Sequence, residues 1–250
     1  MSGELEGRAA LVTGAGSGIG RAIAERLSAA GMDVLAVDLR PLEQGPGVGY
    51  PADLTDAQAN ADAVAAALNR FGRLDVVVAN AGVQHVAPIA EFPLERWQTI
   101  IALMLTSPFL LAKHAWEALA DSPAGRFIAI ASVHGLVASP FKAAYVSAKH
   151  GVLGLIKTLA LEGAERGIAA TAVCPAYVRT PLVERQIADQ ARVHGIPEQR
   201  VLEEVILAPH AVKSLIEPAE VAEVVAFLAG SAGRAFTGVA VTMDQGWTAR

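Results

Sequence analysis

The chain has 250 residues, of which 53% are hydrophobic and 18% are charged. A chain of this length and composition buries a large core, which excludes an intrinsically disordered protein. The net charge of −5 and the lack of a basic stripe argue against nucleic-acid binding, and the single Cys174 excludes a disulfide framework or a cysteine metal cluster.

The amino-terminal segment 1–6 is acidic and lacks the apolar centre of a secretion signal. The longest uncharged stretch, 97–112, contains Thr106, Ser107 and Pro108 and is short for a membrane span. We therefore expect a cytoplasmic protein with no metal and no membrane or nucleic-acid partner.

The first motif is a glycine-rich turn between a predicted apolar strand at 8–12 and a predicted helix at 21–30. It reads Thr13-Gly14-Ala15-Gly16-Ser17-Gly18-Ile19-Gly20. Glycines let the backbone approach a pyrophosphate, and a helix amino terminus presents free N–H groups to it. A flexible turn is the alternative interpretation, but the strand before it and the helix after it favour a phosphate-binding loop.

The second predicted strand, 34–37, ends in Asp38. A carboxylate at this position accepts hydrogen bonds from the adenosine ribose hydroxyls and repels a 2′-phosphate, which favours NAD over NADP. Arg40 is the opposing signal, because an arginine accommodates that phosphate. The common alternative for Arg40 is a solvated loop charge.

The next segment, 45–49, is typical of a surface loop. Asp53 follows it and has two interpretations. It either contacts the adenine of a nucleotide or caps the following helix together with Thr55 and Asp56.

The remaining chain alternates strands and helices. Strands are predicted at 74–79, 127–131, 170–174 and 239–243, and helices at 57–71, 94–111, 145–163 and 218–228. This α/β alternation predicts a single-domain, Rossmann-type doubly wound parallel sheet over 1–250, with helices on both faces. The region 180–215 has shorter, more charged helices, and we interpret it as a mobile lid over a substrate.

Candidate catalytic residues surround the start of helix 145–163. Ser132 follows a strand at its carboxyl end, where open α/β sheets bind ligands. Tyr145 and Lys149 share a helix face, so the ammonium can approach the phenol and lower its pKa from about 10. This spacing is common by chance, so the pair alone indicates either proton transfer or an ordinary solvated face.

Together these motifs resemble the short-chain dehydrogenase/reductase family over nearly the whole chain. Residues 13–20 resemble its nucleotide loop, Asn80-Ala81-Gly82 its sheet-supporting motif, and 175–180 its nicotinamide-binding segment; Ser132, Tyr145 and Lys149 resemble its catalytic residues. The resemblance implies cofactor binding by Gly14, Ser17, Gly18, Ile19, Gly20, Asp38, Asp53, Leu54, Asn80, Gly82, Tyr145, Lys149, Pro175, Val178 and Thr180.

Within that family the chain is most similar to the bacterial D-3-hydroxybutyrate dehydrogenases, through segments 80–86, 132–139, 142–151, 177–187 and 246–250. The resemblance implies NAD-dependent interconversion of (R)-3-hydroxybutyrate and acetoacetate by a homotetramer. It implies that helices 94–111 and 145–163 lie at an interface. It also implies that Gln84, His134, Lys142 and Gln186 bind the carboxylate and that Tyr177 and Trp247 contact the methyl end.

Three residues depart from the family pattern. Met104 replaces an asparagine that supports a water between the catalytic lysine and solvent, and a thioether does not replace its hydrogen bonds. This predicts slower proton exchange. Ala176 and Gln245 replace glycines beside the pocket. The alternatives are a dehydrogenase of another small hydroxy acid or a cyclic hydroxy amino acid, and, less favoured, a catalytically poor NAD(H)-binding sensor.

Overall fold

The structure is a computed structural model and describes residues 3–249. Met1 and Ser2 of the acidic segment and Arg250 of the segment 246–250 lie outside the described residues. The strands are β1 (Ala9–Thr13), β2 (Asp33–Asp38), β3 (Val48–Pro51), β4 (Val76–Ala79), β5 (Arg126–Ile130), β6 (Ala169–Pro175) and β7 (Ala240–Met243). Over the described residues they form one parallel sheet in the order β3-β2-β1-β4-β5-β6-β7.

Helices connect these strands. They are α1 (Gly18–Ala29), α2 (Ala57–Phe71), α3 (Leu94–Ile101), α4 (Ser107–Asp121), α5 (Ala143–Gly163), α6 (Pro181–Glu184), α7 (Ile187–His194), α8 (Glu198–Val201) and α9 (Pro218–Ala229). Two π-helical turns, Ala102–Thr106 and Leu202–Ile206, follow α3 and α8.

Side-chain alternation along the strands builds a core on each face of the sheet. In β1, Leu11 faces the core formed with α2, α4 and α5, while Ala10 and Val12 face the core formed with α1 and α9. A strand buried on both faces consists of nearly continuous apolar residues, as these do. A smaller cluster under the 180–215 region includes Tyr177 and Trp247.

The doubly wound sheet predicted from the alternation is confirmed, and most element boundaries fall within three residues of the predicted ones. The segment 45–49 is not wholly a loop, because Val48 and Gly49 pair with β2 as the start of β3. Cys174 is buried in β6.

The helix predicted at 94–111 is longer than expected. It continues through the π-helical turn Ala102–Thr106 into α4, which contains Pro108 as its second residue and ends at Asp121. By length and composition alone this helix, Leu94–Asp121, could cross a membrane. One side of the helix packs against α2 and α5, and 39% of its most apolar 18-residue stretch is buried. Core helices pass the same test, so the finding is weak evidence for a membrane span.

Local caps explain where two helices begin. The Asp56 carboxylate accepts a hydrogen bond from Ala59 N at 3.0 Å and caps α2. At α9, Glu220 Oε2 accepts from the backbone N–H of the N-cap residue Glu217 at 2.7 Å, and Pro218 is the first residue of the helix. The helix-cap interpretation is therefore correct for Asp56.

A substitution at Gly20 tests how closely α1 packs on the sheet. A Cβ there would lie 2.1 Å from the Gly14 carbonyl oxygen and 2.4 Å from Asn80 Nδ2, so the helix start would have to move. We expect Gly20→Ala to lower the free energy of unfolding in urea by at least about 2 kcal/mol. Glu25→Ala on the same helix removes only an exposed ion pair with Arg21 and should change it by less than about 0.5 kcal/mol. Equal effects of the two variants would contradict the close packing.

Candidate active site

A cavity of about 500 Å³ opens at the carboxyl ends of the strands, where the strand order reverses between β1 and β4. Ligands of doubly wound sheets bind at this point. Most predicted site residues line it: Gly14, Ser17, Gly18, Ile19, Asp38, Asn80, Gly82, Gln84, Ser132, His134, Lys142, Tyr145, Lys149, Pro175, Tyr177, Val178, Thr180 and Gln186.

The glycine-rich turn has the geometry that a phosphate group needs. Gly14 and Gly18 have φ values of 66° and 54°, which favour glycine, and a Cβ on Gly14 would lie 2.9 Å from the Ala81 Cα. Ser17 begins α1 without a side-chain cap, which leaves first-turn N–H groups for an anion. These residues fit the diphosphate of a dinucleotide.

Hydrogen bonds fix this turn to the end of β4. The Thr13 hydroxyl accepts from Asn80 N at 2.9 Å and Ala81 N at 3.0 Å, and Asn80 Nδ2 donates to the Thr13 carbonyl at 2.8 Å. Asn80 therefore holds the two sides of the cavity together, which agrees with the supporting role that the family resemblance implied.

Asp38 closes the far end of the cavity. Its carboxylate accepts from Gly16 N at 2.9 Å and from Arg40 N at 3.0 Å. A carboxylate has about four lone-pair sites, so oxygens held this way can still accept from ribose hydroxyls.

Four predicted residues lie outside the lining of this cavity. Asp53 accepts from the Thr55 amide and hydroxyl, and Leu54 is buried in the core. Gly20 serves the packing of α1 against the turn rather than the cavity surface. Trp247 lines a neighbouring cavity.

The predicted catalytic residues converge from β5, α5 and the turn between them. The Ser132 hydroxyl accepts from His134 N at 3.1 Å, and Lys149 Nζ donates to the Ile130 carbonyl at 2.6 Å. Lys149 Nζ lies 5.6 Å from the centroid of the Tyr145 ring. The helical spacing thus places the ammonium beside the phenol ring, as predicted.

Burial controls the pKa values of these groups. Loss of solvation raises the pKa of Tyr145, although its ring is partly accessible from the cavity, and the hydrogen bond with Ser132 only partly offsets this. Burial also lowers the pKa of Lys149 to about 8. The expectation that Lys149 lowers the pKa of Tyr145 below its ordinary value is therefore wrong for this arrangement.

Lys142 is a buried cation, 2% exposed, at the other end of the cavity. Its Nζ donates to the Tyr177 hydroxyl at 2.7 Å, and none of the ion pairs within residues 3–249 includes it. Burial lowers its pKa to about 7. An ammonium held in this way without a counter-ion indicates a site for an anion.

Neutral polar groups surround Lys142. His134 Nε2 lies 2.9 Å from Ser139 Oγ, and burial, with Lys142 nearby, lowers the pKa of His134 to about 3. Gln186 donates to the Leu182 carbonyl, and its Oε1 is buried with no hydrogen-bond partner among the described residues. Gln84 Oε1 accepts a hydrogen bond from His85 N at 3.0 Å, so the NH₂ group of Gln84 is available to a ligand.

An aromatic wall stands next to this polar end. The Tyr177 and Trp247 rings stack at 5.9 Å and 16°, and His134 meets both edge-on. His210, fully buried, lies 5.5 Å from the Trp247 ring, with its Nδ1 3.2 Å from the Gln245 side-chain amide. His210 was not predicted from the sequence, because no local pattern marks its contact with Gln245, 35 positions away.

The family model of short chain dehydrogenases matches residues 8–191. The chain belongs to the short-chain dehydrogenase family. This family and its Rossmann-type fold bind a nicotinamide cofactor, which agrees with the nucleotide loop described above.

Relatives of this short-chain dehydrogenase are similar over their full length. The chain is 45% identical to the D-beta-hydroxybutyrate dehydrogenase of Rhizobium meliloti (strain 1021), covering 97% of this chain and 99% of that protein. It is 41% identical to the D-beta-hydroxybutyrate dehydrogenase of Cupriavidus necator, covering 98% and 100%. The solved aldohexose dehydrogenase of Thermoplasma acidophilum superposes with a TM-score of 0.91 at 30% identity, covering 100% and 97%.

Of the residues that depart from the family pattern, Met104 and Ala176 line the cavity. Met104 is buried in the π-helical turn Ala102–Thr106, against Ile100, Ala144 and Ala148. A Cβ on Gly82 would be 3.3 Å from the Met104 methyl, so the thioether fills the space under the 80–82 motif. Gln245 has a φ of 53°, a conformation in which glycine costs nothing.

Met104 provides a test of proton exchange. If its thioether slows transfer from Lys149 to solvent, Met104→Asn should raise kcat by up to about tenfold and reduce the solvent isotope effect on kcat. Met104→Leu changes the side chain without adding hydrogen-bonding groups and should leave both unchanged. An asparagine variant with unaltered turnover would count against slow exchange at this position.

Proposed function

We propose that the protein is an NAD-dependent dehydrogenase that interconverts (R)-3-hydroxybutyrate and acetoacetate. The observation that carries the proposal is the buried ammonium of Lys142, which has no carboxylate partner and shares a cavity with Tyr145. Relatives at 45% and 41% identity, named D-beta-hydroxybutyrate dehydrogenase, support the choice of substrate.

The substrate carboxylate binds Lys142 through a charge-assisted hydrogen bond, which is stronger than the present bond to a neutral phenol. The NH₂ group of Gln84 and the second N–H of Gln186 Nε2 donate to it, while neutral His134 adds one ring N–H. Fixing this end of the molecule orients the hydroxyl-bearing carbon towards Tyr145 and makes the reaction stereospecific.

Tyr145 then acts as the general base and takes the hydroxyl proton of the substrate. A nicotinamide cofactor held by the glycine-rich turn and Asp38 would supply the acceptor for the hydride of the same carbon. Ser132 donates a hydrogen bond to the reacting oxygen and stabilises its developing charge. Because burial raises the pKa of Tyr145, its ionised form becomes more populated only as the pH rises.

We assign NAD as the cofactor on the carboxylate of Asp38. Gly16 N and Arg40 N orient it towards the cavity, where it would bind ribose hydroxyls and repel a 2′-phosphate. Arg40 also lines the cavity, and an arginine accommodates a 2′-phosphate. The assay below therefore compares NAD⁺ with NADP⁺.

A second candidate substrate is another small hydroxy acid or a cyclic hydroxy amino acid. The hydroxyl of Tyr177 favours it, because that group adds a hydrogen-bonding atom at an otherwise aromatic wall. A clear preference for such a compound over (R)-3-hydroxybutyrate at equal concentration would support this candidate.

We further propose that the enzyme is a cytoplasmic homotetramer whose interface includes the helical segments 94–111 and 145–163. Phe109 on α4 and Leu161 on α5 are 48% and 81% exposed, and an assembly that covers them would remove apolar surface from water.

The first test is NADH formation with (R)-3-hydroxybutyrate, measured beside the (S) enantiomer and beside NADP⁺. We expect turnover with the (R) acid and NAD⁺.

We expect Tyr145→Phe to lower kcat by at least about 10²-fold, because the phenylalanine ring has no proton-accepting oxygen.

NADH fluorescence titration is the control for this variant, since the nucleotide loop is untouched and binding should persist. A Tyr145→Phe enzyme with full activity would overturn the mechanism. Tight NADH binding without turnover of any hydroxy acid in the unaltered protein would favour a sensor instead.

The pH dependence of KM tests the role of Lys142. Its pKa near 7 means that the ammonium is charged below that pH and neutral above it, whereas the substrate stays an anion. KM should therefore rise with pH above about 7, by at most about tenfold per pH unit. Tyr145 affects kcat in the opposite direction, because its base form is favoured at high pH.

Lys142→Met should raise KM at pH 6 and abolish its dependence on pH. Lys113→Met removes the same charge from the exposed surface and should leave the KM profile unchanged. A pH-independent KM in the unaltered enzyme would exclude Lys142 as the anion-binding group.

A further inference from the structure

A second cavity of about 320 Å³ lies beside the first, between the loop before α5 and the region 190–209. Val205 and Trp247 form apolar parts of its surface, and Ser139 and Gln190 form polar parts. Among the described residues, Lys142 and Tyr177 line both cavities. The hydrogen bond between them, at 2.7 Å, therefore lies on the boundary between the two spaces.

The backbone holds this pair in place from both sides. Phe141, directly before Lys142, has a φ of 67°, which is rare for a residue with a side chain. Its ring packs edge-on against His194 at 5.3 Å, at the end of α7. On the other side, the Tyr177 carbonyl accepts from Ile216 N at 3.0 Å. Strained conformations persist where their surroundings enforce them, and they cluster at ligand sites.

We propose that the second cavity extends the substrate chamber and that the Lys142–Tyr177 hydrogen bond closes the passage until an anion binds. The inference rests on the proposed function, which assigns the carboxylate to Lys142, beside the aromatic wall of Tyr177 and Trp247. Both aromatic residues line the second cavity. The class of ligand is 3-hydroxy acids whose chain continues past the fourth carbon.

The exchange of partners at Lys142 opens the passage. A carboxylate replaces the phenol as acceptor because its charge makes the stronger hydrogen bond. The Tyr177 ring, no longer held by its hydroxyl, turns against Trp247, and the longer chain passes towards Val205. Each added methylene in an apolar pocket changes kcat/KM by about 10–200-fold, so loss of the space is measurable.

The test compares (R)-3-hydroxyhexanoate with (R)-3-hydroxybutyrate in the full-length enzyme with NAD⁺. Val205→Phe adds volume inside the second cavity and should lower the ratio of the two kcat/KM values by at least about tenfold. Val212→Phe makes the same substitution at an exposed position that lines neither cavity, and its ratio should equal that of the unaltered enzyme.

Ala138→Phe, at an exposed position on the same cavity, repeats the test if Val205→Phe fails to fold. Calorimetric binding of the unreactive anions butyrate and hexanoate separates this inference from the proposed function, since it needs no chemistry. If the cavity variants bind hexanoate more weakly relative to butyrate, the second cavity is part of the substrate chamber, even if 3-hydroxybutyrate is not turned over. If both the kcat/KM ratio and the affinity ratio of the cavity variants equal those of Val212→Phe, the inference is overturned.

Discussion

The site depends on the hydrogen bonds that join Thr13 to Asn80 where β1 and β4 separate. Neighbouring parallel strands normally share hydrogen bonds along their length, but here the connections leave in opposite directions and open a crevice. The Thr13 hydroxyl and the Asn80 amide fix the width of that crevice. The glycine turn on one side and the catalytic residues on the other keep their separation only while this contact persists.

Loss of solvation gives the cavity its chemical character. His134, Lys142 and Lys149 are all buried, and in each case burial shifts the pKa towards the neutral form. The pKa of Tyr145 rises, which likewise favours its neutral form. Burial therefore favours the neutral forms of these groups, and an anionic ligand at Lys142 would favour its charged form.

The parts of the site that were predictable from sequence are those encoded over short distances. The glycine turn needs adjacent glycines, and Tyr145 and Lys149 need one helical turn, so their spacing suffices to predict their geometry. His210 beside Trp247 and the pairing of Lys142 with Tyr177 join segments that no periodicity connects. The sign of the Tyr145 pKa shift could not be predicted either, since it depends on how much protein surrounds the ring. Strand β3, which begins at Val48, could not be predicted, because its glycine and proline are typical of loops.

The burial of Cys174 has a consequence for handling the enzyme. It is the single cysteine of the sequence, it lies in the central sheet beneath Ser132, and burial raises its pKa to about 11. Alkylating and oxidising reagents act on exposed thiolates, and this residue offers neither exposure nor charge. Reaction of the thiol therefore reports opening of the sheet itself, which makes Cys174 an internal probe of global unfolding that needs no engineered label.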